Sequence, residues 1–262
     1  MFPEFVTVGG FTVYSYGVML ATAFFTAIML ALRRARSVGI EPQVIVDISI
    51  VILIGAVVGA KLFYVIGHWS RYAADPGRLL ETLRAGGVFQ GGLVVAVILA
   101  VLYLGWKKQP IWLVADVAAP GIAIGQAIGR VGCFAAGCCY GKPVDHTQVP
   151  WAVAFGPDSV AGAAPGVFRH PTQVYESLLM VAVFVALLVL WRYRRFDGQV
   201  FWWYVVLYSL VRGGVVEWFR GDHGTIWLGL TGQQLISVAT FVVGLLMLLY
   251  LARRARAGGV ES

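Results

Sequence analysis

Apolar runs of near-spanning length recur seven times in this chain, at about 11–32, 44–66, 89–106, 111–130, 172–191, 199–219 and 232–252. A helix needs ~20 mostly apolar residues to cross the hydrocarbon core of a bilayer, so each run reads as a transmembrane helix. The expected fold class is all-α: a polytopic integral membrane protein of about seven helices, with residues 1–262 forming a single transmembrane domain. Composition agrees. Hydrophobic residues make up 59% of the chain and charged residues 13%, about half the charged share of soluble domains. Mean hydropathy is +0.79. The net charge of +7 would point a soluble chain toward nucleic acid; here the positions of the charges carry the information, and no nucleic-acid partner is expected. Met1 to Gly10 holds no Lys or Arg, so a secretory n-region is missing and the first run is expected to be a retained helix.

The basic residues alternate between the connections. Eleven of the 20 lie after the odd-numbered runs: Arg33, Arg34, Arg36, Lys107, Lys108, Arg192, Arg194, Arg195, Arg253, Arg254 and Arg256. Six lie on the other side: Arg71, Arg78, Arg84, Lys142, Arg169 and Arg220. Positive charge favours the cytoplasm, which predicts an N-terminus outside and a C-terminus in the cytoplasm. The long connections, about 67–88 and 131–171, then lie outside. The second is rich in Gly, Pro, Asp and His and reads as irregular. Loops of that length commonly carry function, so any chemistry is expected to face outward.

Small residues at four-residue spacing, Gly121, Gly125 and Gly129 in span four and Gly55 and Gly59 in span two, read as close helix packing. Gly129 also leaves room for a group to approach Arg130. The remaining basic residues, Lys61, Arg130 and Arg212, lie in or at the ends of spans. A cation at the bilayer centre costs ~2.5–3.5 kcal/mol on insertion scales and usually faces a cavity or a partner. Asp47, Asp116, Glu176 and Glu217 are the acidic counterparts. Structural pairing is the reading for Asp47 and Asp116. Arg130 and Arg212 are read as phosphate ligands, since a guanidinium matches a phosphate bidentately and the phosphate of a membrane is a phospholipid headgroup.

Several segments together resemble one family. Gly129-Arg130-Val131-Gly132-Cys133-Phe134-Ala135-Ala136-Gly137-Cys138-Cys139-Tyr140-Gly141 resembles the signature of the prolipoprotein diacylglyceryl transferases, close to GRxGNFxNGExxG. His170-Pro171-Thr172-Gln173-Val174-Tyr175-Glu176 resembles the family's HPSQLYE segment. Tyr16-Gly17, Phe89-Gln90-Gly91-Gly92 (FHGG in the family), Asp116 with Pro120, and Tyr208, Arg212, Glu217 and Phe219-Arg220 follow in family order. The resemblance implies a bacterial multi-pass protein of the cytoplasmic (inner) membrane with periplasmic loops. It implies transfer of a diacylglyceryl group from phosphatidylglycerol to the lipobox cysteine of a preprolipoprotein, giving a thioether and glycerol phosphate. No cofactor and no metal are expected; the expected partners are phosphatidylglycerol, the lipobox peptide and membrane lipids. Residues implied as catalytic are Arg130, Arg212, Tyr208, Gln90 and His170. Those implied as substrate-binding are Tyr16, Lys61, Gly91, Gly92, Gly129, Gly141, Tyr175, Glu176, Glu217 and Arg220.

The chain departs from the pattern in four places. Gln90 stands where the family carries His, and an amide is no useful base at neutral pH. Either another group or a pre-ionised thiol must then supply the thiolate, and His170 is the remaining family-matched imidazole. Its two readings are catalysis and a locally hydrogen-bonded residue at a helix start. Cys133, Ala136 and Cys138 replace Asn, Asn and Glu of the signature. Arg212 precedes Glu217 by five residues where the family usually has four, so either a bulge absorbs one residue or Arg212 points differently. Lys61 replaces what is more often Arg.

Cys133, Cys138 and Cys139 are all the cysteines of the chain. A disulfide, a reactive thiol and a metal site are each conceivable. Zinc wants four ligands, though, and C-x4-C-C is a poor zinc pattern; small residues packed at a helix end is the favoured reading. Trp69, Trp106, Trp112, Trp151 and Trp191 read as interfacial anchors, His146 and His223 as loop residues, and Asp222 as a partner of Arg220. Two alternatives stand beside the transferase. One is a paralogue of the same fold acting on another headgroup or acceptor. The other is a non-enzymatic phospholipid-binding or transport protein, although no inverted repeat is visible.

Overall fold

A computed structural model describes residues 3–75, 77, 87–156, 159–162, 164, 166–220, 226–227 and 229–258, with no side chain described for Val8, Phe11, Ala74, Ile226 and Trp227. The expected contributions of Arg78, Arg84, Asp222 and His223 lie outside these residues. A hairpin of β1 (Glu4–Val8) and β2 (Phe11–Tyr14) leads into α1 (Ser15–Ser37), followed by α2 (Pro42–Gly67), the short α3 (Trp69–Ala74) and α4 (Phe89–Trp106). Helix α5 (Ile111–Ala136) comes next, then a loop carrying the paired β3 (Val153–Ala154) and β4 (Phe168–Arg169), and α6 (Thr172–Arg192). Helix α7 (Gln199–Ser209) continues through a π-helical segment (Leu210–Val216) into α8 (Glu217–Phe219). The chain then forms β5 (Ile226–Trp227), β6 (Leu230–Thr231) and α9 (Gly232–Gly258).

Among the described residues, seven helices are long and apolar enough to cross a membrane, at the seven predicted places. Four boundaries differ by four residues or more; two of them are the ends of the first and seventh spans, which run on to Ser37 and Ala257. The first span starts at Ser15, because Phe11–Tyr14 pairs as a strand across Gly9 and Gly10, both with positive φ (57° and 82°); such a turn matches the twist of a two-strand hairpin. The fourth span runs six residues past 130, to Ala136, so half of the signature segment is helical.

Contacts divide the chain into two compact units, each described by itself: Leu32–Val114, and Met1–Ala31 with Ala115–Ser262. In the first, α2 packs along α4 through small residues. A Cβ on Gly59 would meet the Gly91 carbonyl at 2.5 Å, and one on Gly92 the Ala56 carbonyl at 2.6 Å. Tyr103 and Gln43 donate hydrogen bonds to Asp47 (2.8 and 2.7 Å), so this carboxylate is held by hydrogen bonds within the unit.

In the second unit the core is built by Ala119, Ala123 and Ala127 of α5, Met180, Val183 and Leu187 of α6, and Val200 and Tyr204 of α7. Alanines on one helix face let the partner helices approach closely. A Cβ on Gly121 would lie 2.7 Å from the Ala27 carbonyl, and one on Gly125 3.4 Å from that of Ala23, so these two glycines seat α1 on α5. The space beside Gly129 is open. Asp116 is fully buried and accepts the Gly198 and Phe201 backbone N–H groups, both at 2.8 Å, with Arg194 3.7 Å away. A carboxylate there answers the orphan donors and the dipole of the α7 N-terminus. The structural reading of Asp116 is the one observed. Large side chains on the opposite helix faces, such as Leu178, Leu246 and Leu249, point away from the core.

Candidate active site

Charge converges where α5 ends, α6 begins and the π segment closes. Arg130, in the penultimate turn of α5, pairs with the buried Glu176 of α6 at 3.0 Å. One residue on, the Ser177 hydroxyl donates to the Ala127 carbonyl (2.9 Å) and fixes the rotation of the two helices. Arg212 pairs with Glu217 at 2.7 Å, both buried, and the other Glu217 oxygen accepts the Thr231 hydroxyl at 2.7 Å. Tyr208, one turn before Arg212, lies within electrostatic reach of Glu176, Arg130 and Arg212. Its ring stacks on Tyr204 (centroids 6.0 Å apart), whose hydroxyl donates to Gln126 (3.0 Å).

The π segment resolves the five-residue spacing. An α-helix brings residues i and i+4 onto one face; a π turn closes i to i+5, and such bulges recur at functional sites. Leu210–Val216 absorbs the extra residue, so Arg212 and Glu217 meet. Gly213 and Gly214, poor helix formers, occupy the middle of the segment, and a Cβ on Gly213 would collide with Ser237 of α9.

A second group of predicted residues forms the loop layer above these pairs. Gly141 donates its N–H to the His170 carbonyl (2.9 Å) and bridges to Arg220, while Lys142 donates to the Phe219 carbonyl (2.9 Å). A Cβ on Gly141 would collide with the Phe219 carbonyl oxygen. Glycine is required there because three segments cross at one point. Tyr175 accepts the Trp151 indole N–H (2.6 Å), which leaves its own proton to face His170 Nδ1 at 3.2 Å. Burial and the neighbouring Lys142 push the His170 imidazole below its ordinary value, so it is neutral at pH 7. The His170 ring is thus hydrogen-bonded locally, at the start of α6. Trp151 serves as a partner of Tyr175.

Cys133, Cys138 and Cys139 are free thiols, partly buried, with all three Sγ atoms within 4.8 Å of one another. The helix terminus explains the gathering. Gly137 has φ +70°; its N–H bonds to the Phe134 carbonyl and the Cys138 N–H to the Cys133 carbonyl, both at 3.1 Å. This is the Schellman arrangement, which sets the residue after the glycine against the one five positions before it. Cys139 then takes φ 63°, rare for a residue with a side chain, and brings its sulfur to the other two. The Cys138 carbonyl accepts the Gln173 amide (2.6 Å) and the Cys139 carbonyl the Thr172 hydroxyl (2.9 Å), so the pair is anchored on α6. Hydrogen bonds from the Cys133 and Cys138 thiols, together with Arg130 and Arg220, hold Cys139 well below the ordinary thiol range. Hydrogen bonding with Cys133 and Cys139, together with burial, pushes Cys138 up. Tyr16 of α1 lies within electrostatic reach of all three sulfurs and of Arg130.

The structure thus brings together Tyr16, Arg130, Glu176, Tyr208, Arg212 and Glu217, with Gly141, His170, Tyr175 and Arg220 in the adjoining loops. Lys61, Gln90, Gly91 and Gly92 belong to the other unit, where Gly91 and Gly92 are buried against α2 and Gln90 is exposed. Thr231, Gln126 and Gln173 were not singled out by sequence. Gln173 alone had a signal, its place beside Thr172 in the quoted segment.

The family model for prolipoprotein diacylglyceryl transferase matches residues 3–250. A phosphatidylglycerol–prolipoprotein diacylglyceryl transferase of Clostridium tetani is 34% identical over 94% of this chain and 96% of its own length. Proteins of the same name from Nostoc sp. and Bacillus cereus are each 32% identical, over 97% and 93% of this chain and 90% of their own lengths. With the match spanning nearly every residue, from the hairpin before α1 into α9, the chain is a membrane-embedded transferase and belongs to the prolipoprotein diacylglyceryl transferase family.

Proposed function

We propose that this enzyme transfers the diacylglyceryl group of phosphatidylglycerol to the lipobox cysteine of a preprolipoprotein in the bacterial cytoplasmic membrane. The observation that carries the reading is the two carboxylate-held arginines, with Tyr208 within electrostatic reach of both. A phosphate monoester leaving group needs charge stabilisation that is already in place when the bond breaks. Glu176 and Glu217 fix the two guanidiniums, each with donors left over for phosphate oxygens. Tyr208 and Tyr16 supply hydroxyl donors. An apolar groove of about 220 Å³, lined by Val131, Phe134, Val174, Ser177 and Leu178, begins next to Arg130 in sequence and suits an acyl chain. The site faces the periplasm, with the N-terminus on the same side and the C-terminus in the cytoplasm. The excess of basic residues after the odd-numbered spans supports that orientation. The names of the relatives, which state phosphatidylglycerol and a prolipoprotein, support the donor and the class of acceptor.

The test is lipidation in detergent with purified protein, phosphatidylglycerol and a lipobox peptide, read by mass spectrometry. A diacylglyceryl mass increase that requires the peptide cysteine is expected. No increase, with phosphatidylglycerol retained by the protein, would refute the reading. Arg130→Ala should lose nearly all turnover, at least ~10²-fold, while remaining folded; unchanged turnover would remove Arg130 from its role.

A further inference from the structure

We propose that Cys133, Cys138 and Cys139 bind one zinc ion through three thiolates, and that its fourth position takes the thiol of the acceptor cysteine. The inference rests on the transferase reading above and adds the group that ionises the nucleophile. Three sulfurs within 4.8 Å of one another approach what zinc demands, since Zn–S bonds of ~2.3 Å in a tetrahedron set sulfurs roughly 3.8 Å apart. Side-chain rotation closes the difference. The backbone already holds the arrangement: the Schellman turn juxtaposes Cys133 and Cys138, and the left-handed Cys139 adds the third sulfur. Both backbone carbonyls of the vicinal pair are tied to α6 by Gln173 and Thr172. Three thiolates with Zn²⁺ carry one net negative charge, and Arg130 and Arg220 stand within electrostatic reach of Cys139 to balance it.

Among the described residues the cluster has three members and no fourth His, Cys, Asp or Glu. Zinc sites closed by four protein ligands are structural; sites with three keep a position for substrate. The reaction alkylates a thiol whose free pKa is ~8.5, and Gln90 cannot accept its proton. A thiol bound to zinc is deprotonated outright. On binding, the acceptor thiol releases its proton to water. Its sulfur lone pair forms the C–S bond to the glyceryl carbon that carries the phosphate ester. The C–O bond to that phosphate breaks, and the electron pair leaves on glycerol phosphate, between Arg130 and Arg212. The neutral thioether is a weaker ligand than a thiolate and leaves the metal. Tyr16, within reach of all three sulfurs and of Arg130, ties the metal position to the phosphate cradle.

The experiment measures zinc in the full-length protein purified in detergent without chelator, then exchanges it for cobalt(II). About one zinc per chain is expected, with thiolate-to-cobalt charge-transfer absorption. The cobalt spectrum should shift on adding a lipobox peptide with Cys and stay still with the Ser peptide. Cys138→Ser and Cys139→Ser should each lower zinc retention at least tenfold; their elution as monodisperse protein and their helical circular dichroism guard against misfolding. Zinc no higher than in a chain with all three cysteines replaced by Ser overturns the proposal. So does a cobalt spectrum indifferent to the Cys peptide, or full lipidation by chelator-stripped protein, which would leave the transferase reading intact. Conversely, a zinc protein that binds the Cys peptide and releases no glycerol phosphate sinks the transferase reading and keeps the metal site.

Discussion

Replacing Glu217 by Leu removes the partner of Arg212 inside the second unit. The pair is 2.7 Å apart, with side chains 11% and 5% exposed. At an effective dielectric of ~20, unit charges that close attract by about 6 kcal/mol before desolvation is subtracted. Removing one member of a buried pair strands the other and costs ~3–5 kcal/mol. The Thr231 hydroxyl loses its acceptor as well, adding about 1 kcal/mol. For a chain of this size the melting temperature in detergent should fall by roughly 10 °C. The double variant Arg212→Met with Glu217→Leu removes both charges and should recover most of that loss, since apolar replacements of buried pairs are often neutral. Both variants should be inactive, because the phosphate ligand is displaced in one and absent in the other. Thermal unfolding and lipidation of the four members of the cycle give the readout. Equal destabilisation of the single and double variants would mean that packing, and not a stranded charge, sets the cost. Turnover in the double variant would refute the role of Arg212.

Three further outcomes follow from the loop layer and the departures from the family pattern. Gly141→Ala should cost ~1–3 kcal/mol by forcing apart the Phe219 and His170 segments, read as a lower melting temperature and folded yield. Gln90→His should raise lipidation at neutral pH if the chain's own proton acceptor is weak, and leave it unchanged if zinc already ionises the acceptor; the rate of peptide lipidation decides. His170 has its folded value depressed by burial and Lys142, so the unfolded chain binds its proton first as pH falls. The stability it contributes is therefore present above ~6.5 and lost as pH drops through that range toward the folded value. Melting temperature against pH in wild type and His170→Gln checks the sign, with the difference between the two expected below pH 6.5.

The seven spans were legible because a bilayer imposes length and apolarity on each helix independently, and Arg130, Arg212 and their carboxylates stood out because charge is costly there. The first boundary was missed because Phe11–Tyr14 is as apolar as the helix it precedes, while its strand pairing depends on two glycines with positive φ. The pairing of Arg212 with Glu217 was left open by spacing alone, since i,i+5 residues meet only if the helix is locally π. The meeting of the three sulfurs was not legible in the C-x4-C-C spacing. That gap spans a helix end, and the Ala-Ala-Gly before Cys138 was the available sign that the chain would turn back on itself there.

The π segment also bears on register. An added residue in a transmembrane helix would ordinarily rotate everything beyond it by ~100° and shift it by ~1.5 Å, which would carry Glu217, Phe219 and Arg220 out of register with the loops they meet. Seven residues of wider helix confine that displacement. The five-residue spacing is thus accommodated where two glycines take it, and Glu217, Phe219 and Arg220 meet their partners. Deleting either Gly213 or Gly214 should return the segment to an ordinary helix in which the arginine and the glutamate meet at four-residue spacing.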